Sequence, residues 1–155
     1  MPEIQEAPFR LTQDDPVIER ADGVASTWSD IFKYQVPVGV SLIIKPHHTF
    51  AAYLDESTGS TPALGNDCSA RIEKRDASES SVQIIFGPKL YASFGQFANR
   101  DRMAHFSVPS EGVIINEREY IVIVAWNAVI LTSNSTSNYC YFEMHIAKVR
   151  KALGA

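Results

Sequence analysis

The stretch FKYQVPVGVSLIIKPHHTFAAYL, residues 32–54, decides the fold. Phe32, Tyr34 and Val36 alternate with Lys33 and Gln35, and a repeat of two places the first three on one face of a strand. Pro37 stops that ladder, because it has no N–H to donate and its φ is fixed. Gly39 permits a sharp turn, after which Val40 to Ile44 restarts as an apolar, β-branched run suited to burial against a second sheet. Lys45 and Pro46 end it, and Thr49 to Leu54 makes a third run before the polar loop that opens at Asp55. Three strands this close together predict a meander or the first half of a Greek key.

Further along, the same reading gives more strands and no helical stripe. Ser69 to Lys74 alternates, Arg75 to Ser80 is a charged turn, and Val82 to Phe86 is a strand closed by Gly87-Pro88. Leu90 to Phe106 reads as strand, loop, strand. Val113 to Ile115 and Tyr120 to Trp126 flank the turn Asn116 to Glu119, and the chain continues through Val129-Ile130-Leu131. In Tyr139 to Ala147, Cys140, Phe142, Met144 and Ile146 share one face, with Tyr141, Glu143 and His145 on the other.

An internal echo suggests the architecture. Val36-Pro37-Val38-Gly39-Val40-Ser41-Leu42-Ile43 is matched, with one residue inserted before the glycine, by Val108-Pro109-Ser110-Glu111-Gly112-Val113-Ile114-Ile115. In both, a strand ends at Pro, turns at Gly and restarts, as two sheets joined at their ends require. About eight strands in two related halves predict an all-β chain, a jelly-roll-like antiparallel sandwich. The expected division is an extended N-terminal arm over residues 1–27, a sandwich over 28–150 and a tail over 151–155. In the arm, Pro2, Pro8 and Pro16 break up apolar residues too sparse for a core element. Phe9, Leu11, Val17 and Ile18 are its candidate docking residues for a neighbouring subunit or partner.

Composition narrows the classes of function. A chain of 155 residues suits one domain with a real core, and 45% hydrophobic against 21% charged residues is the balance of a globular protein. With 14 basic and 18 acidic residues the net charge is −4, which argues against nucleic acid as a partner and gives no attraction to an anionic membrane. No run approaches the roughly 18 apolar residues of a membrane span. The N-terminus has acids and prolines where a signal peptide has a basic start and an apolar run, so synthesis in the cytoplasm is expected. Cys68 and Cys140 are expected as thiols, since two cysteines make no disulfide framework.

No motif points to an enzyme. His47-His48 invites a metal, but adjacent residues on a strand point to opposite faces, and a solvated turn explains the pair better. The pair also departs from the His-x-His pattern of cupins. His105 and His145 are isolated in sequence, and no nucleophile elbow or phosphate loop occurs. Acid pairs such as Asp14-Asp15 and Asp55-Glu56 fall in the arm and in loops, where solvated charge accounts for them. The expectation is therefore no catalytic residue, no metal and no cofactor. Phe94 and Phe97 are candidate interface aromatics. The loops Asp55 to Asp67 and Thr132 to Asn138 would serve a carbohydrate- or receptor-binding module. A cupin-like metalloenzyme would have to bring His47 or His48 together with His105 or His145.

The proline-bearing N-terminal segment, the run FKYQVPVGVSLIIKPHHTFAAYL and the alternating YCYFEMHIAKVR give the chain its character. Over Trp28 to Arg150 it resembles the small β-sandwich decoration, or cement, proteins of tailed-phage capsids. The resemblance implies a structural protein with no active site, commonly a homotrimer. It would sit on the outer surface of the virion and clamp the major capsid protein lattice.

Overall fold

The structure, a computed structural model, describes residues 5–12, 18–54, 68–90, 95–97, 101–132 and 140–150; at 5, 53, 95–97, 101–104 and 141 only the backbone is described. Among them are strands β1 (Gln5–Thr12), β2 (Glu19–Arg20), β3 (Ser29–Gln35), β4 (Val40–Ile44), β5 (Thr49–Tyr53) and β6 (Ser69–Arg75). They are followed by β7 (Val82–Leu90), β8 (Gly95–Phe97), β9 (Asp101–His105), β10 (Val113–Ile115), β11 (Tyr120–Trp126) and β12 (Tyr141–Arg150), and no helix occurs among the described residues.

The strands form two antiparallel sheets, one of seven strands centred on β12 and one of five centred on β11. The register reduces them to eight rows. β4 and β5 both run antiparallel to β12, one against Ala147 to Arg150 and the other against Tyr141 to His145, so they are two halves of one row interrupted by Lys45 to His48. β9 pairs β5 and β10 pairs β4, so β9 and β10 form a second interrupted row. Numbered in chain order, the rows lie 1-8-3-6 in the β12 sheet and 2-7-4-5 in the β11 sheet, with short β2 and β8 added at the edges. Such nested pairing of chain ends is that of a jelly roll, as the sequence predicts.

The predicted periodicities find their faces. Phe32, Tyr34 and Val36 point inward, as do Cys140, Phe142, Met144 and Ile146. Between the sheets Phe32 meets Phe142 at a ring separation of 4.7 Å, and Phe50 meets Phe86 edge-on at 4.6 Å and Phe106 at 5.1 Å. Tilted and edge-on contacts of this kind are the favoured aromatic geometries. Cys68 and Cys140 are buried and not disulfide-bonded.

Five expectations change. First, residues 32–54 are not a meander: β3 belongs to the β11 sheet, and β4 and β5 continue one another in the β12 sheet. Lys45 to His48 is an excursion from one row, closed by a bond from the His48 N–H to the Lys45 carbonyl (3.0 Å) and one from the Lys45 N–H to His48 Nδ1 (2.9 Å). Second, the glycine echo does not join sheets twice. Its first copy carries the chain from β3 to β4 and so between sheets; its second lies within the β9–β10 row, and β4 and β10 then pair with each other. Gly39 and Gly112 both adopt positive φ, 82° and 85°, and a Cβ at Gly112 would lie 2.9 Å from the Ile44 carbonyl oxygen.

Third, much of the expected arm is a strand: β1 pairs with Glu143 to Arg150 along its whole length, and Leu11 is 1% exposed in the core. Alternate apolar residues, Phe9 and Leu11, suffice for an inner face, and an edge strand tolerates Pro8. Fourth, β7 does not stop at Gly87-Pro88 but passes through it to Leu90, where again an edge position spares the missing proline N–H. Fifth, the run 129–131 contributes only a bridge at Leu131.

Candidate interaction surface

Several strands begin or end at one end of the sandwich. Ser29 lies opposite Ala125, Trp126 opposite Ser69, Ser69 opposite Leu90, and Tyr53 opposite Tyr141. The ends of β5, β7 and β11 and the starts of β3, β6 and β12 therefore lie at this end. Two turns are tied together here. The Gly23 N–H donates to the Leu131 carbonyl (2.8 Å) and the Ser26 N–H to the Asn127 carbonyl (2.7 Å), while the buried Asn127 amide donates to Val129 O (2.9 Å). This backbone frame presents Val24 (63% exposed), Ile130 and Trp28, with Leu90 at the end of β7. The Arg71 guanidinium lies 4.4 Å from the Trp28 ring centroid, a cation–π contact that holds the indole in place. Apolar groups grouped on a rigid, polar-bonded frame are the usual make-up of a protein contact surface.

The sequence-predicted residues are distributed differently. Leu11 is spent on the protein's own core, and Phe9 and Ile18 are half-buried against it. Phe9 lies 6.4 Å from the Tyr34 ring, with the Lys148 ammonium 4.8 Å from its own centroid. Val17 and Phe94 lie outside the described residues; Phe97 ends β8, its backbone opposite Asp101. The two loops proposed for glycan binding fall, but for Thr132, outside the described residues; the Thr132 carbonyl accepts from the Cys140 N–H (2.5 Å) at this same end. Val24, Leu90 and Ile130 were not signalled by the sequence, because an isolated aliphatic in a turn or at a strand end looks no different from one destined for the core. Trp28 marked only the start of the strand region.

Three of the four histidines do converge. Thr49 has His145 opposite it on β12 and His105 opposite it on β9, and His48 precedes it. All lie on the outer face of the β12 sheet. The His47 and His48 rings are 4.4 Å apart, and burial, with Lys45 close by, holds His48 below the ordinary histidine pKa. His145 Nε2 is 2.8 Å from Glu143 Oε1, and Glu143 also receives Arg10, whose hydrogen bond holds its carboxyl below the usual range. Beside them Glu6, Pro8, His48, His145 and Ala147 line an open groove of about 580 Å³. No three His, Cys, Asp or Glu side chains among the described residues come close enough to hold a metal ion. Alternate residues across neighbouring strands share a face without sharing a point, which is how histidines can form a row and not a ligand set.

No family model matches this chain, and no curated protein does. Solved structures do. The chain is similar to VP17, a capsid protein of bacteriophage P23-77, with a TM-score of 0.50 and 6% identity over 97% of this chain and 98% of that one. It also aligns with the VP16-VP17 complex, a complex of the two major capsid proteins of the same phage, at a TM-score of 0.43 and 6% identity over 95% and 99%. The first likeness is one of fold, and it covers the described jelly roll from end to end.

Proposed function

We propose that this protein is a structural subunit of a virus particle, working by shape and contact and without catalysis. The observation that carries the proposal is the eight-row jelly roll, which aligns over nearly its full length with a phage capsid protein. The apolar end supports the same reading, since Val24, Trp28, Leu90 and Ile130 give a neighbouring capsid protein something to bury. Many copies each making a modest contact build a stable shell, because every further contact in a closed lattice is made at high effective concentration.

Within this reading the subunit takes one of two roles: a building block of the shell, or a decoration protein bound outside the major capsid protein. The full-length alignment with a capsid protein favours the first. The resemblance to tailed-phage cement proteins favours the second, with its trimer on the outer capsid surface. Disrupting the gene in the virus that encodes it separates the two: a building block leaves no particles, whereas a decoration protein leaves particles that lose their contents at lower temperature. Mass spectrometry of purified particles tests the common ground. Stoichiometric amounts of the chain are expected, and its absence from intact infectious particles would sink both roles.

A further inference from the structure

The β12 sheet has a seam. The β4–β5 row breaks at Lys45 to His48, and the neighbouring β9–β10 row breaks at residues 106–112. The two breaks lie side by side: the Phe106 N–H donates to the His48 carbonyl (3.4 Å), and a Cβ at Gly112 would come within 3.1 Å of Lys45 Cγ. The seam divides β4 and β10 from β5 and β9, and among the described residues only β1 and β12 cross it unbroken.

Lys45-Pro46-His47-His48 closes its side of the seam as a turn, with proline at the second position, where its fixed φ is favoured. Lys45 and His48 are bonded twice. One bond runs from the His48 N–H to the Lys45 carbonyl (3.0 Å), the other from the Lys45 N–H to Nδ1 of the half-buried His48 ring (2.9 Å). A backbone N–H can only donate, so Nδ1 presents its lone pair and the proton of the neutral ring sits on Nε2. An imidazolium carries N–H at both nitrogens and has no lone pair to offer. Protonation of the ring therefore breaks this bond and sets two N–H groups against each other.

Charged and titratable groups surround the ring. Its own turn supplies Lys45 and His47, β1 supplies Glu6 and, further along, Arg10, and β12 supplies His145 and Glu143. β9 ends at His105, and the 106–112 connection carries Glu111 next to the Gly112 that meets Lys45. Burial, then His47 and Lys45, hold His48 below the ordinary 6.5, while Glu6, 3.9 Å from Lys45 Nζ, pulls the other way. With its native value depressed, the neutral ring stabilises the turn fully above the ordinary value, and that stabilisation is lost as pH falls through the native one.

We propose that the seam is an acid-released joint: protonation of His48 withdraws its ring from the Lys45 N–H and frees the 45–48 turn, while β1 and β12 hold the two half-sheets together. The released ring has Glu6 to turn to, across the groove that both residues line. The device is built into the chain itself and does not depend on the capsid reading.

NMR of the full chain from about pH 7.5 to about pH 4.5 tests it. The His48 ring resonances give the midpoint of its titration. Amide exchange at Lys45, each rate divided by that of an unstructured chain at the same pH, reports the bond. Lys45 protection should fall about five-fold, the worth of one hydrogen bond, with the same midpoint as the ring. His48→Asn offers a carbonyl oxygen in nearly the same place and does not titrate, so it should keep Lys45 protected throughout. Glu6→Gln should move both midpoints together to lower pH, and His145→Asn should leave the fall in protection in place. Protection that persists once the His48 ring is charged, that fades with a different midpoint, or that fades equally in a folded His48→Asn would overturn the proposal, as would a ring that stays neutral over the whole range. The wild-type comparison of the two midpoints needs no variant to fold.

Discussion

The two outer faces of the sandwich are built from similar residues and do different things. On the β11 sheet, Val122 and Val124 point outward yet are fully buried, because a roof of ion pairs covers them. Arg75 grips Asp30 with both nitrogens (2.8 and 2.9 Å) and Glu73 with Nη2 (2.8 Å); Glu73, itself buried, also takes Arg71 (2.5 Å). Lys33 reaches Glu79 (2.6 Å), a residue of the 76–81 turn, and lies 5.6 Å from the Tyr120 ring centroid. On the β12 sheet, Arg10, Glu143 and His145 pair in open water beside a groove. Side chains on the first face are held by one another over an apolar floor. Those on the second are available to something else.

This contrast can be broken in three places, beginning with the largest effect. Removing residues 1–12 takes β1 from β12 and Leu11 from the core, so at least ~5 kcal/mol of stability should be lost. Urea unfolding of the truncated chain reads this directly, and an unchanged midpoint would show that β1 is a detachable arm after all.

Next come the two arginines. Arg75→Ala leaves the buried Glu73 short of one partner and uncovers Val122, and should cost about 3 kcal/mol. Arg10→Ala, on the solvated face, should cost less than about 1 kcal/mol. Equal costs from thermal unfolding would erase the distinction between the faces.

The smallest effect is the response to acid. The hydrogen bonds of Arg75 hold Asp30 below its ordinary value of 3.8, with the Arg75 and Lys33 charges adding to them. A carboxyl with a native pKa lower than its unfolded one stabilises the fold fully above the unfolded pKa. That contribution fades as pH falls through the depressed native value. Stability should therefore decline below about pH 4 and decline less steeply in Asp30→Asn. Parallel slopes for the two proteins between pH 4 and pH 2 would remove Asp30 from the roof.

Much of the fold was legible because strands announce themselves by alternation. The inward sets Phe32-Tyr34-Val36 and Cys140-Phe142-Met144-Ile146 needed only a repeat of two. The arm was misread for a related reason. Two inward residues in β1, Phe9 and Leu11, are enough when β12 supplies the remaining partners, but the sequence of β1 does not name β12. The candidate surface was barely legible at all. Val24 and Ile130 acquire their meaning from the bonds at Gly23 and Ser26 that set two turns side by side.

By itself, then, the sequence determined which residues face inward, where the chain turns, and that the molecule is a sandwich, since these follow from local alternation and from Pro and Gly. Only the tertiary structure decided that β4 and β5 are one row, that β1 is a strand, and that the histidines form a row with no metal-binding cluster among the described residues. Those features depend on which strands are neighbours, and neighbours 100 residues and more apart, such as Arg10 and Glu143, leave no mark in the local pattern of either.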